Sequence, residues 1–191
     1  IRDLVRSLGS EMCIRDRTKT HGTEVRINKV FAEADIRILT GDVTLHYYAG
    51  YGGGRKSILP GISGAETIQH NHAMLLDPKA RTGNLEGNPV HEDMVEAAKL
   101  AKVDFVLNIV TNSKKEVVQA FAGDLEQVFE AGVKLVDEMY KVPIEQRADI
   151  AVVSSGGYPH DINLFQAYKG IDNALNAVKR GGVIILVAEC P

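Results

Sequence analysis

The chain has 191 residues, of which 45% are hydrophobic, and carries a formal net charge of −3. This composition supports a sizeable core and excludes both the strongly basic surface that nucleic-acid binding uses and the long apolar run of a membrane span, so a small molecule is the expected partner. Cys13 and Cys190 lie far apart without the spacing of metal ligands, which favours a reducing compartment and predicts a cytoplasmic protein.

The first part of the chain differs in character from the remainder. Residues 1–17 lack a start methionine and include "SEMCIRDR", which resembles a translated sequencing adapter. We therefore treat residues 1–17 as a doubtful leader that is not native sequence, and leave them out of the fold prediction. The chain stops at Pro191, shortly after the apolar stretch "VIILVAE". We expect an internal fragment of a longer protein.

From Glu24 onward, strand-like and helix-like segments alternate, which predicts an α/β fold with largely parallel sheets flanked by helices. The spacing predicts a helix in "INKVFAEA" and a strand in "DIRILTGDV". A glycine-rich loop comes next, and then a helix with Ser63 as N-cap and Glu66 completing a capping box. The next predicted elements are a helix opened by Pro89, the strands "VDFVLNIVTN" and "EVVQAFAGD", and the helix "LEQVFEAGVKLVDEMY".

The polar segment "KVPIEQRAD" predicts a connector between two domains. Residues 18–146 would belong to the first α/β domain, and residues 147–191 would begin a second one. The second part contains a strand "IAVVSS", a loop "GGYPHD", a helix "INLFQAYKGIDNALNAVK" with Asp161 as N-cap, a Gly-Gly turn and the strand "VIILVAE". This order is a complete βαβ unit.

The stretch "HYYAGYGGGRKSILPG", which begins at His46, carries the strongest chemical signal. Three consecutive glycines permit positive φ angles, and their N–H groups could cradle an anion; the alternative is a purely structural turn. The loop is not a Walker motif, because Arg55 stands where that motif has a glycine. Lys56 could act as a nucleophile or hold a covalent cofactor if partly desolvated, or it could be an ordinary solvated lysine.

Histidines supply further candidates. His46 at the end of a strand has the position of many acid–base residues in α/β folds, although a structural role is the alternative. His70 and His72 would point about 200° apart on a helix, so only one of them can serve a site. His91 is expected to face solvent on the polar side of its helix. His160 comes after a strand and could line a cleft.

Gln166 and Lys169 are three residues apart on the predicted helix of the second part. They therefore share a face and could reach one polar ligand, the alternative being ordinary surface residues.

Taken together, these segments resemble the nickel-pincer lactate racemase family. The stretch "LHYYAGYGGGRKSILPGISGAETIQHNHAML" resembles the family's core motif, and "HDINLFQAYKG" resembles a motif of its second domain. The resemblance extends from about Thr18 to the end. It implies that residues 18–146 are the C-terminal part of an N-terminal cofactor-binding domain, that residues 147–191 begin the second domain, and that the site lies in the cleft between them.

The resemblance also implies a cofactor. The family binds a nickel ion in a pincer made from a pyridinium-3,5-dithio-type mononucleotide, covalently attached to a lysine that corresponds to Lys56. The histidine ligand of the nickel corresponds to His72, and Gly53 and Gly54 fall in the cofactor-binding loop.

The implied reaction is the racemisation or epimerisation of an α-hydroxy acid, lactate above all. A histidine takes the hydroxyl proton while the α-hydride moves to the cofactor, and the hydride then returns to either face of the ketone. The resemblance assigns the proton transfer to His46 and substrate binding to Gln166 and Lys169. The family's second acid–base histidine and its carboxylate-binding arginine precede residue 18, so we expect this chain alone to be inactive.

Two other functions are compatible with the sequence. A pyridoxal-phosphate enzyme would use Lys56 as its Schiff-base lysine and the glycine loop for the phosphate. A non-catalytic nucleotide-binding module would keep the glycine loop and tolerate the loss of His46 or His72.

Overall fold

The computed structural model describes residues 11–191, so residues 1–10 of the doubtful leader lie outside the described part. The chain divides into two compact units, of which the first ends at Tyr140 and the second is Lys141–Pro191. No helix within the described range is long and apolar enough to cross a membrane.

The first unit contains short strands, helices and two 3-10 turns. In chain order they are β1 (Met12–Arg17), β2 (Glu24–Asn28), α1 (Lys29–Glu33), β3 (Ile38–Asp42), β4 (Leu45–His46), β5 (Gly50–Tyr51), the 3-10 turn Gly54–Ser57, α2 (Ala65–Ala73), the 3-10 turn Met74–Leu76, α3 (Pro89–Leu100), β6 (Phe105–Thr111), β7 (Val117–Gly123) and α4 (Leu125–Tyr140).

The sheet of the first unit has the order β3-β6-β7. Strands β3 and β6 are parallel, with Ile38 opposite Phe105, whereas β6 and β7 are antiparallel. The difference is explained by the connections: β6 and β7 are joined by a short turn, whereas the chain between β3 and β6 makes a long crossover that includes α2 and α3. The α/β class is confirmed, but parallel pairing holds for only part of this unit.

The N-terminal region departs from the prediction. Residues Met12–Arg17 of the doubtful leader form β1, which pairs antiparallel with β2. The helix predicted from "INKVFAEA" is wrong at its start, because β2 runs to Asn28 and buries Val25 and Ile27 on alternate positions. Asn28 then caps the short helix α1 by accepting a hydrogen bond from the Phe31 N–H.

Helices α2 and α3 illustrate one wrong and one confirmed start. Ser63 is not an N-cap, because its hydroxyl donates to the Ile58 carbonyl at 2.8 Å, and α2 starts after Gly64 without a side-chain cap. Helix α3 begins at Pro89 as predicted. Its Asn88 cap accepts from the backbone N–H groups of Val90 and His91.

The main core of the first unit lies between β2, α3 and β6. The turn that carries Lys56 is anchored there, because Ile58 and Leu59, the next apolar residues, are fully buried. Burial of each side chain is worth about 1.5–3 kcal/mol relative to exposure. A smaller cluster packs α4 against the carboxyl ends of β3 and β6; its members are Val43, Tyr51, Val110, Phe129 and Val136.

The second unit contains β8 (Ala148–Ser154), α5 (Leu164–Leu175) and β9 (Val178–Val187). Strands β8 and β9 are parallel, which agrees with the predicted βαβ unit. The predicted Gly-Gly turn is wrong, because Gly181 and Gly182 lie within β9, where the pairing register shifts.

The predicted N-cap of α5 is also wrong. Asn163 caps this helix by accepting from the Gln166 N–H, whereas Asp161 is buried and accepts instead from the Glu189 N–H at 3.2 Å. The Asp161 carboxylate accepts a hydrogen bond from the backbone that follows β9 and is therefore not available to cap the N-terminus of α5.

Candidate active site

His46 and Lys56 meet in the first unit although ten positions separate them. The Lys56 Nζ lies 3.1 Å from His46 Nε2. The contact arises because β4 and β5 form a minimal hairpin that pairs His46 with Gly50, and the 3-10 turn then carries Lys56 back toward the histidine. The Ala49 N–H donates to His46 Nδ1 at 3.3 Å, which orients the ring. A titratable nitrogen and a primary amine thus face each other.

Tyr48 lies at the centre of this group. Its ring centroid is 4.6 Å from that of His46, 5.2 Å from that of His72 and 5.4 Å from the Lys56 Nζ. Burial raises the pKa of Tyr48 to about 12, so the phenol stays neutral at physiological pH. Sequence reasoning did not single out Tyr48; the aromatic pair after His46 was the available signal.

The Lys56 amine has an altered acidity. Burial, and next the positive charge of Arg55, lower the pKa of Lys56 to about 8. An amine with this pKa has a substantial neutral fraction near physiological pH, and the neutral form is the nucleophile. Lys56 is therefore partly desolvated, which is the condition that the sequence analysis gave for a nucleophilic or cofactor-holding role.

His72 lies in the last turn of α2, on the side of Tyr48. Its Nδ1 is 2.9 Å from the Ile68 carbonyl, to which it donates, so the neutral ring leaves the Nε2 lone pair available to a metal. Burial is the main cause that lowers the pKa of His72; the Lys56 charge adds to it and the Ile68 hydrogen bond opposes it. His70 lies on another side of the helix, exposed, with Nε2 3.2 Å from the His21 carbonyl.

Across residues 11–191, no group of three or more His, Cys, Asp or Glu side chains could hold a metal ion. A metal bound by His72 would therefore need further ligands from a cofactor, a substrate or other parts of a longer protein.

Gly53 and Gly54 are required by the packing of the turn. Gly53 has φ +79°, and a Cβ added there would lie 2.8 Å from the Asp42 carbonyl oxygen. Gly54 has φ +52°, and its Cβ would lie 3.2 Å from the Phe129 ring. Both glycines thus let the turn pack closely against the end of β3 and against α4. Their role in cofactor binding stays a prediction.

Arg55 is the residue that sequence reasoning underestimated. It is fully buried, and its guanidinium donates to the carbonyls of Ala49 at 2.8 Å, Gly52 at 3.3 Å and Gly53 at 3.2 Å. Burial lowers the pKa of Arg55 to about 9, which still leaves it charged at neutral pH. The guanidinium also lies 4.1 Å from the centroid of the Phe129 ring.

The expectation that His91 faces solvent is wrong. His91 is half-buried, stacks on the Phe129 ring, and accepts a hydrogen bond from Arg55 Nε at its Nδ1. Burial, and next the Arg55 charge, lower the pKa of His91 to about 3, so the imidazole is neutral. In this position its Nδ1 satisfies the Arg55 Nε donor, which is buried and needs an acceptor.

In the second unit, Gln166 and Lys169 share a helix face as their spacing predicts. The Lys169 ammonium donates to Gln166 Oε1 at 2.6 Å. Both line a cavity of about 200 Å³ at the carboxyl end of β8, together with Ser154, Ser155, His160, Gly170 and Asn173. The polar lining suits a small charged or hydroxylated ligand.

Comparison with known families matches two parts of the chain. The lactate racemase N-terminal domain matches residues 11–83, and the lactate racemase C-terminal domain matches residues 144–191. Together they account for more than half of the chain. The first match begins within the doubtful leader.

Two curated relatives are each named lactate racemase. The one from Lactiplantibacillus plantarum is 47% identical over 169 residues, which is 87% of this chain and 40% of the relative. The one from Thermoanaerobacterium thermosaccharolyticum is 45% identical over 175 residues, which is 91% of this chain and 41% of the relative. The chain thus spans about two fifths of the length of these relatives.

Solved structures agree in fold. The lactate racemase apoprotein from Thermoanaerobacterium thermosaccharolyticum superimposes with a TM-score of 0.90 at 44% identity, covering 94% of this chain and 43% of that one. A protein from Thermotoga maritima has a TM-score of 0.70 at 21% identity, covering 91% of this chain and 47% of that one, and shows the fold alone.

Proposed function

Because the chain belongs to the lactate racemase family, we propose that the complete protein is an isomerase that interconverts the enantiomers of an α-hydroxy acid, lactate above all. The single observation that carries the proposal is the contact of Lys56 Nζ with His46 Nε2 at 3.1 Å. The buried Tyr48 ring packs against His46 and also against His72. The cysteine usage supports a cytoplasmic location for the complete protein.

We propose that the cofactor is nickel in a pyridinium-3,5-dithio-type mononucleotide attached to Lys56. Two features fit this group. The Lys56 amine has the lowered pKa that a tethering nucleophile needs, and His72 has an Nε2 lone pair with its other nitrogen fixed by the Ile68 carbonyl. When bound, the cofactor supplies the hydride acceptor.

Gly53 and Gly54 complete the cofactor part of the proposal. They join β5 to the turn that carries Lys56, and their positive φ angles set the direction in which that turn leaves the strand. We assign them a backbone role at the cofactor.

His46 is the residue that we propose moves the substrate's proton. The α-hydrogen of lactate is a poor acid because the neighbouring carboxylate does not stabilise a carbanion, whereas conversion of the alcohol to a ketone makes the carbon planar. That conversion requires the hydroxyl proton to leave, and His46 Nε2 is the titratable nitrogen directed toward Lys56. The Ala49 N–H holds the ring in this orientation.

Gln166 and Lys169 are the proposed substrate-binding pair. The Lys169 ammonium and the Gln166 amide would each donate a hydrogen bond to an oxygen of the hydroxy acid. Their mutual hydrogen bond at 2.6 Å holds the two side chains together on one face of α5, ready to bind jointly.

The experiment uses the complete protein loaded with the nickel cofactor. Racemisation is measured from each pure enantiomer of lactate, and intact mass reports an adduct on Lys56. We expect racemisation in both directions, an adduct that the Lys56→Ala variant loses, and activity that His46→Ala loses while the adduct persists. Racemisation by the protein without nickel, together with the absorbance of an internal aldimine, would contradict the proposal and support a pyridoxal-phosphate enzyme instead.

A further inference from the structure

Arg55 is an unusual residue for the interior of the first unit. Its side chain is fully buried, and in the part of the chain that the structure describes no carboxylate lies within ion-pair distance of it. A buried charge without a counter-charge is costly unless hydrogen bonds satisfy it. The guanidinium meets this need with neutral acceptors on three sides and the Phe129 ring.

The backbone carbonyls that accept from Arg55 all lie in one segment of the chain. Ala49, Gly52 and Gly53 all lie between His46 and Lys56, on both sides of β5. Arg55 therefore connects the beginning and the end of this loop through its carbonyls. The Lys56 N–H adds a backbone bond to the Gly53 carbonyl at 3.1 Å. The result is a closed loop whose two ends carry the histidine and the lysine.

We propose that Arg55 is a positioning residue: its guanidinium closes the loop between His46 and Lys56 and thereby sets the Lys56 amine against His46. Only a guanidinium can do this, because it donates in a planar fork to several directions at once, whereas a lysine ammonium is a compact charge and a methionine merely fills space. The use of the positioned amine rests on the proposed function, but the positioning itself does not.

His91 also holds the Arg55 guanidinium in place. Its neutral Nδ1 accepts from Arg55 Nε at 3.1 Å, and its ring stacks on Phe129, which lies against the guanidinium. This pair fixes the far edge of the guanidinium plane, while the loop carbonyls take the other donors. Since His91 is only half-buried, it can be replaced with less risk to the core than Arg55.

The charge of Arg55 supports the same role. The titratable groups around Lys56 are His46, Tyr48, His72 and Arg55, of which Arg55 alone is permanently charged at neutral pH. Burial and this charge together account for the lowered pKa of the lysine. An amine that moved away from the buried site would recover an ordinary lysine pKa of about 10.4.

The test uses the cofactor-free 191-residue chain. Trinitrobenzenesulfonate modifies neutral amines, and peptide mass spectrometry measures the rate at each lysine as a function of pH. The wild-type profile of Lys56 should have its midpoint near pH 8, and exposed Lys99 serves as the internal control. Arg55→Lys keeps the charge and loses the fork, whereas Arg55→Met loses both. We expect both variants to move the Lys56 midpoint upward by at least one pH unit and to leave Lys99 unchanged.

An unchanged Lys56 midpoint in Arg55→Lys would overturn the proposal, because charge alone would then suffice. If the Arg55 variants do not fold, the His91 variants decide. His91→Asn keeps an acceptor for Arg55 Nε and should match wild type, whereas His91→Phe keeps the ring stacking, removes the acceptor and should raise the midpoint. Equal profiles for these two variants would refute the positioning role. Neither result depends on nickel or on racemase activity, so the proposed function stands or falls separately.

Discussion

Replacement of Gly53 by alanine is a sharp test of how the glycine turn is held. Gly53 has φ +79° and ψ 177°, a region that residues with a Cβ rarely adopt and that costs about 1–3 kcal/mol. The added Cβ would also lie 2.8 Å from the Asp42 carbonyl oxygen and 3.0 Å from a Val43 methyl group. Overpacking of this kind costs a further 1–3 kcal/mol or so. We therefore expect Gly53→Ala to lower the free energy of unfolding of the first unit by about 4 kcal/mol.

Gly22 provides the matched control in the same unit. It also has a positive φ, +68°, but a Cβ there would meet no atom within 4 Å. Gly22→Ala should thus show the conformational cost alone, about 1–2 kcal/mol. Urea unfolding followed by far-ultraviolet circular dichroism measures both variants. If Gly53→Ala cost no more than Gly22→Ala, the packing of the turn against β3 would not be what requires a glycine.

Three further predictions concern stability and activity. The folded state lowers the pKa of His91 to about 3, so as the pH falls below about 6.5 the unfolded chain binds a proton that the folded chain does not. The free energy of unfolding, measured in urea, should therefore drop by about 1–2 kcal/mol between pH 7 and pH 5. The His91→Asn variant should lose most of this pH dependence. Asn163→Ala should destabilise α5 by about 1 kcal/mol, which amide hydrogen exchange of that helix would detect, and unchanged protection would contradict its role as N-cap. The 191-residue chain loaded with the nickel cofactor should not racemise lactate, and appreciable turnover would contradict the need for groups outside it.

The alternation of patterns was sufficient to predict the α/β class, the helix at Pro89 and the βαβ unit of the second part. These features depend on periodicity and on turn residues, which are local properties of a sequence. The two wrong N-cap predictions have a common cause. Ser63 and Asp161 are good caps by residue type, but each is engaged with a backbone group outside its helix, at Ile58 and at Glu189. The hydrogen bonds that these side chains make in the folded chain, rather than their residue types, decided against the caps.

The geometry around His46 and Lys56 was harder to predict from the sequence than the angles along a single helix. The helical period predicted that His70 and His72 point in different directions, and the structure agrees, because that argument needs only the angle between neighbouring residues. The role of His72 as a metal ligand stays a prediction. The contact of His46 with Lys56 depends on a hairpin whose two strands are only two residues long, which is too short to show a period in the sequence. The burial of Arg55 was the hardest feature to foresee, since arginines are rarely fully buried and its partners are backbone carbonyls, which any sequence contains.

In the proposed function, His72 is the protein's nickel ligand next to an amine-tethered cofactor. The most direct test of this role is the nickel content, by elemental analysis, of the complete protein after cofactor loading, in wild type, His72→Ala and His70→Ala. The two histidines lie in the same helical turn, so His70→Ala controls for effects on α2. We predict that His70→Ala keeps wild-type nickel and that His72→Ala loses most of it. Full nickel retention by His72→Ala would contradict the assignment of the metal site.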